Sequence, residues 1–132
     1  MSKSNAITIS SVDFSAELKK VLSKYGDDIT EITRHLVKQA GNEARDKLKQ
    51  TSPKDTGSYA KNWIAGNYTW SAFGADIVVF NGFPTYRLAH LLEKGHANRG
   101  GGRTPAKVHI KPVEEEVKRE LEKNIRQAIE NV

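Results

Sequence analysis

Apolar residues recur every three or four positions from Phe14 to Leu48. At 3.6 residues per turn this spacing lines one side of a helix of about nine turns, so it predicts a long amphipathic helix. Gly26 interrupts the pattern and predicts a kink there. Pro53 ends the helix, because the residue before a proline is driven out of helical geometry.

Two stretches after this helix have the pattern of strands. Residues 61–70 alternate with a period of two, and residues 75–80, ADIVVF, are rich in β-branched side chains. Together they predict an antiparallel hairpin. Strict alternation divides the first strand into two faces, with Ile64, Tyr68 and Trp70 on one and Trp63 and Ala65 on the other.

A short helix is predicted over residues 86–94. Thr85 is its candidate N-cap, and Gly95 has the position of the residue that ends a helix. We expect three leucines of this helix to point inward: Leu88, Leu91 and Leu92.

The last helix is predicted to begin at Pro112, since proline is favoured at the first helical position. Three glutamates, residues 114–116, then fall in the first turn, where they complement the helix dipole. Before it, residues 108–110 form a short β-prone stretch that we expect to join an edge of the hairpin.

These elements predict an α+β fold in a single domain, residues 1–132. A long N-terminal helix and a C-terminal helix pack on one face of a small antiparallel sheet. Residues 1–10 are predicted to be a loose leader in which Ile7 and Ile9 can form a short strand. The sheet leaves a face and an edge uncovered, which favours self-association. Three aromatic residues are expected near them: Trp63, Trp70 and Phe73.

The composition excludes several classes of function. The chain has no cysteine, so disulfide scaffolds, cysteine zinc sites and thiol catalysis are excluded. No apolar run reaches the roughly 18 residues that span a bilayer, and the N-terminus lacks the apolar core of a secretory signal. We therefore expect a protein that is made in the cytoplasm and has no membrane partner.

The net charge of +5 is concentrated in one segment, residues 94–111, which holds five cations and no acid. These are the candidate contacts for a partner or for DNA: Lys94, Arg99, Arg103, Lys107 and Lys111. Within the segment, residues 95–107 are expected to be a flexible, glycine-rich basic loop. The segment can bind a phosphate backbone, dock on an acidic protein, or remain a solvated loop.

No arrangement of side chains indicates catalysis. His90, Glu93 and His96 do not have the spacing of a known metal motif, and no nucleophile elbow or phosphate-binding loop is present. We expect no catalytic residue, no cofactor and no metal.

Three segments, taken in order, resemble a known family. They are residues 48–57 (LKQTSPKDTG) followed by Tyr59 and Trp63, residues 86–96 (YRLAHLLEKGH), and a loop with residues 101–103 (GGR) that leads to residues 109–112 (HIKP). Together they resemble the small tail-completion, or head–tail joining, proteins of long-tailed bacteriophages and prophages, often labelled minor tail components. The resemblance extends from about Phe14 to Ile129.

The resemblance implies a non-enzymatic structural protein of the virion, assembled in the bacterial cytoplasm and located in the tail or neck. It also implies assembly into rings, often six-fold, beside connector and tail-tube proteins. A ring whose lumen passes DNA would bring Arg99, Arg103 and Lys107 near phosphate. The alternative is a small basic nucleic-acid-binding module that uses residues 94–111.

Overall fold

The computed structural model describes residues 6–10, 20, 27–54, 56–71 and 74–131. The elements in chain order are β1 (Ala6–Ser10), α1 (Asp27–Thr51), α2 (Ser58–Lys61), β2 (Trp63–Ser71), β3 (Gly74–Asn81), α3 (Tyr86–Lys94), β4 (His96–Ala97), β5 (Arg103–Thr104) and α4 (Ile110–Glu130). This is the predicted α+β arrangement. Apart from Lys20, which is helical, the predicted helix before Asp27 lies outside the described residues, as do its kink at Gly26 and Phe73.

The main sheet has three antiparallel strands in the order β1-β3-β2. Every second residue of β3 is buried, and α1 and α4 cover that face. Ile7 pairs with Val79, and Ile9 pairs with Ile77, so both isoleucines of β1 enter the core. The strand predicted from Ile7 and Ile9 is confirmed, and residues 6–10 are therefore part of the sheet and not of a loose leader.

A β-bulge in β2 changes the predicted division of its side chains. The register shifts between Gly66 and Thr69, and Asn67 has φ 53°, which places an extra residue in the strand. An extra residue reverses the alternation, so Tyr68 falls on the same face as Trp63, where both contact the core. The prediction that Trp63 and Tyr68 lie on opposite faces is wrong, because a bulge interrupts the strict alternation of side chains.

Gly41 allows α1 to lie unusually close to the sheet. A Cβ atom at this position would be 2.5 Å from Cδ1 of Ile77, well inside van der Waals contact. The helix continues through Gly41 without a break. This glycine is therefore a packing residue.

The predicted inner face of α3 is wrong for two of its leucines. Leu88 and Leu91 are 42% and 41% exposed, whereas Ala89 and Glu93 are buried and Leu92 packs against the core. The helix is rotated so that Glu93, one turn after Ala89, points inward. A hydrogen-bonding role for Glu93, described below, explains this rotation.

The structure also corrects the predicted start of the last helix. Ile110 is the first residue of α4, so Pro112 is its third residue and the three glutamates come after the first turn. Val108 is 57% exposed and belongs to no strand. The prediction of a strand over residues 108–110 is wrong, because Ile110 already begins α4 and β1 takes the free edge of β3.

Candidate functional site

The basic segment contains a small hairpin. His96 pairs with Thr104 and Ala97 pairs with Arg103 in β4 and β5. At the tip, the amide of Asn98 donates to the carbonyl of Gly102 at 3.0 Å. The side-chain hydroxyl of Thr104 donates to Oδ1 of Asn98 at 2.7 Å. We call residues 94–107, which include this hairpin, the basic ribbon.

All five predicted contact residues are exposed. Lys94 ends α3, Arg99 lies in the turn of the hairpin, and Arg103 lies on β5. Nη2 of Arg103 donates to the carbonyl oxygen of Lys94 at 3.1 Å, which holds the Arg103 guanidinium at the end of α3. Lys107 follows the hairpin, and Lys111 is the second residue of α4.

The base of the ribbon is held closely against the end of α3. Gly95 has φ 72°, and a Cβ atom there would lie 2.6 Å from the carbonyl oxygen of Thr104. The amide of Lys107 donates to the carbonyl of Leu92 at 2.7 Å. Only glycine tolerates both this φ and this approach, so the predicted helix end at Gly95 also fixes the ribbon.

The buried carboxylate of Glu93 closes the N-terminus of α4. Its Oε1 accepts the amides of His109 and Ile110 at 2.8 and 2.9 Å, and its Oε2 accepts the amide of Lys111 at 3.0 Å. The next residue, Pro112, has no amide hydrogen. The first four backbone N–H groups at the start of a helix lack partners within the helix. Here Glu93 accepts three of them, and the fourth position is a proline, which has no N–H group. The negative charge also complements the positive end of the helix dipole.

The His109 side chain connects this cap to an aromatic cluster. Its Nδ1 lies 2.7 Å from the carbonyl oxygen of Lys107 and 3.1 Å from Oε1 of Glu93. Because Nδ1 faces two acceptors, it carries a hydrogen. Nε2 is hydrogen-bonded to the hydroxyl of Tyr59, at 2.7 Å.

Tyr59 and Trp63 complete the cluster. The Tyr59 ring makes edge contacts with both Trp63 and His109, with centroids 5.6 Å apart in each case. Nε1 of Trp63 donates to the hydroxyl of buried Ser52 at 2.8 Å. Burial, and then the charge of Glu93, raise the pKa of Tyr59 well above its ordinary value, which keeps its hydroxyl a donor. We call Ser52, Tyr59, Trp63, Glu93 and His109 the buried anchor.

A separate patch of apolar side chains faces solvent. Phe83 is 84% exposed and its ring centroid lies 6.4 Å from that of Tyr86, which is 42% exposed. Ile64, 41% exposed, lies against Gly82, the neighbour of Phe83. We call Ile64, Phe83 and Tyr86 the apolar patch. Contiguous exposed apolar side chains are typical of protein contact sites.

Residues 16–95 match the family model described as "Bacteriophage HK97-gp10, putative tail-component". The match covers more than half of the 132 residues. The chain belongs to the HK97-gp10-like family of bacteriophage tail components. It is therefore a structural, non-catalytic protein that contacts other virion proteins. No curated protein and no solved structure shows a significant match to it.

The family match covers only part of the features described above. It includes Ser52, Tyr59, Trp63 and Glu93 of the buried anchor and all of the apolar patch. It ends at Gly95, so the hairpin of the basic ribbon and α4 lie beyond the match. The predicted resemblance extended further, to about Ile129, and the family model supports it through Gly95.

The anchoring role of Glu93 in this tail component was not predicted from the sequence. Glu93 was weighed there only in a metal site with His90 and His96, which their spacing argued against, and in the structure its oxygens accept the backbone amides at the start of α4. In the described parts of the chain, no three His, Cys, Asp or Glu side chains are placed to share a metal ion. The sequence signal for this cap is indirect. Glu93 directly precedes the Lys94-Gly95 pair that ends α3, and His109, the residue before α4, does not cap that helix with its own side chain.

None of the helices that the structure describes combines the length and apolarity needed to cross a bilayer.

Proposed function

We propose that this tail component acts in tail completion or head–tail joining, as a ring subunit that contacts connector and tail-tube proteins. The family match is the observation that carries the proposal, because it assigns the chain to tail components. The apolar patch supports contact with other proteins, since aromatic side chains are enriched at the centres of protein interfaces.

Ring assembly, in our proposal with six-fold symmetry, uses the apolar patch or the strand edges of β1 and β2. Both strands are at the edges of the sheet, and an exposed edge can pair with another chain. Trp63, expected near an uncovered edge, is only 2% exposed and is part of the core. Trp70 is 59% exposed, with its ring 4.2 Å from the Arg34 guanidinium carbon.

Self-association is tested by sedimentation velocity over a range of protein concentrations. Phe83→Ser combined with Tyr86→Ser should reduce association by the patch. Val108→Ser is the matched control, because it removes an exposed apolar side chain outside both the patch and the sheet. Equal association of the double variant and the wild type would exclude the patch as the ring contact.

The position in the virion is tested by electron microscopy of an induced lysate that lacks the gene. Separate full heads and separate tails would support action at the joint between them. Normal joined and infectious particles would contradict the proposal. In that case the alternative, a basic nucleic-acid-binding module that uses residues 94–111, would become the leading hypothesis.

A further inference from the structure

We propose that the basic ribbon, together with Lys111, binds the phosphate backbone of double-stranded DNA without reading its sequence. The inference comes from the charge and geometry of this surface and does not depend on where in the tail the protein acts.

The charge of the surface is uncompensated. Residues 94–111 contain five cations and no acid, and the rest of the chain sums to zero. Within the described part of the chain, none of the five forms an ion pair with a carboxylate. Cations that are not paired with a carboxylate can neutralise phosphates and release the counterions of DNA, which is the main source of sequence-independent affinity.

The cations are also held on a defined framework. The hairpin pairs β4 with β5, Arg103 is bonded to the carbonyl of Lys94, and Gly95 packs against Thr104. On the other side, Glu93 holds the backbone of Lys111. Fixing the positions of charged groups before binding lowers the entropy that is lost on binding.

The side chains of the ribbon favour DNA over an acidic protein. Protein interfaces centre on buried aromatic and large apolar anchors. The ribbon has no aromatic residue other than the imidazole of His96, and its apolar side chains are the small residues Ala97, Pro105 and Ala106. Contacts to phosphate need only cations and hydrogen-bond donors, which the ribbon supplies.

The test uses the full chain, a short random-sequence DNA duplex and fluorescence anisotropy over a series of salt concentrations. The ribbon variant combines Arg99→Gln, Arg103→Gln and Lys107→Gln. Each lost phosphate contact reduces the steepness of the plot of log affinity against log salt by about 0.9, so we expect a reduction of about 2 to 3. A second variant, Arg99→Lys with Arg103→Lys, keeps the charge and should retain the salt dependence.

The matched control combines Lys49→Gln, Lys61→Gln and Lys123→Gln, three exposed lysines outside the segment. Both triple variants lower the net charge from +5 to +2, since each removes three positive charges. Circular dichroism checks that both are folded. The proposal predicts that only the ribbon variant loses most of its affinity.

Three results would overturn the proposal. The first is no binding of the wild type to DNA at about 50 mM salt, where phosphate contacts are strong. The second is an equal loss in the control variant, which would show an effect of net charge alone. The third is ribbon-dependent binding to poly-glutamate that is at least as tight as binding to DNA, which would assign an acidic protein as partner.

Discussion

Glu93 accepts the backbone amide of His109 at 2.8 Å, across 16 residues of sequence. This bond links the end of α3 to the start of α4. The segment between the two helices, which includes the basic ribbon, is therefore a loop whose two ends are held together. The position of the exposed cations thus depends on a buried carboxylate.

Removing the charge of Glu93 should destabilise the protein strongly. Glu93→Gln replaces one carboxylate oxygen by an amide group that cannot accept a backbone hydrogen bond. Hydrogen bonds to charged groups contribute about 1.5–3 kcal/mol each, so we expect a loss of about 2–3 kcal/mol in the free energy of unfolding. Urea unfolding measures it. Glu120→Gln, an exposed acid on α4, is the control and should change stability by less than about 0.5 kcal/mol. Equal midpoints for the two variants would exclude the anchoring role.

Ser52→Ala should leave the indole N–H of Trp63 without a partner inside the core. An unsatisfied buried donor costs about 1–3 kcal/mol, so the urea midpoint should fall accordingly. Hydrogen exchange of the Trp63 indole, followed by NMR, should also become faster. Ser58→Ala, at an exposed position of α2, is the control. Unchanged indole exchange in Ser52→Ala would show that the hydroxyl does not hold the ring.

Gly95→Ala should disrupt the base of the basic ribbon. The added methyl group would lie 2.6 Å from the carbonyl oxygen of Thr104, and the alanine would have to adopt a φ of 72°. The positive φ alone costs about 1 kcal/mol, and the collision adds to it. Amide exchange of Asn98 should become faster, because its bond to Gly102 depends on the closed hairpin. Gly100→Ala meets no atom within 4 Å and should leave that exchange rate unchanged. The same rate in both variants would contradict this account of the ribbon.

The raised pKa of Tyr59 predicts a pH-dependent contribution to stability. The folded state binds the phenol proton more tightly than the unfolded state, whose pKa is about 10. This stabilisation is complete below that pH and is lost as the pH rises through the folded pKa. Tyr59→Phe removes the ionisation together with a hydrogen bond worth about 1 kcal/mol. The stability advantage of the wild type should therefore be constant below about pH 9 and should shrink as the pH rises above about 10. The same difference in urea midpoints at about pH 8 and about pH 11 would contradict the prediction.

The periodic parts of the fold could be predicted from sequence, because burial on one face leaves a regular pattern. The stripe of α1, the β-branched run of β3 and the two isoleucines of β1 all follow this rule. The bulge at Asn67 could not be predicted, since one extra residue reverses the alternation without changing the composition of the strand. Leu88 and Leu91 were misplaced because periodicity alone cannot show that an acid occupies the inner face.

The basic segment was apparent from charge alone, but the hairpin and the buried carboxylate that hold it in place were not. Sequence shows the cations Arg99 and Arg103 directly, whereas the hairpin that holds them depends on pairing across a glycine turn. The role of Glu93 depends on a contact with residues 109–111, in another element. A side chain that caps a helix from a distance leaves only an indirect signature, because its partner is the backbone of a different segment.

The central claim, action at the joint between head and tail, is tested most directly by complementation in vitro. Purified wild-type protein is added to an induced lysate that lacks the gene, and infectious particles are counted before and after addition. The account predicts separate heads and tails with very low infectivity before addition, and joined, infectious particles afterwards. Full infectivity without the protein would contradict it.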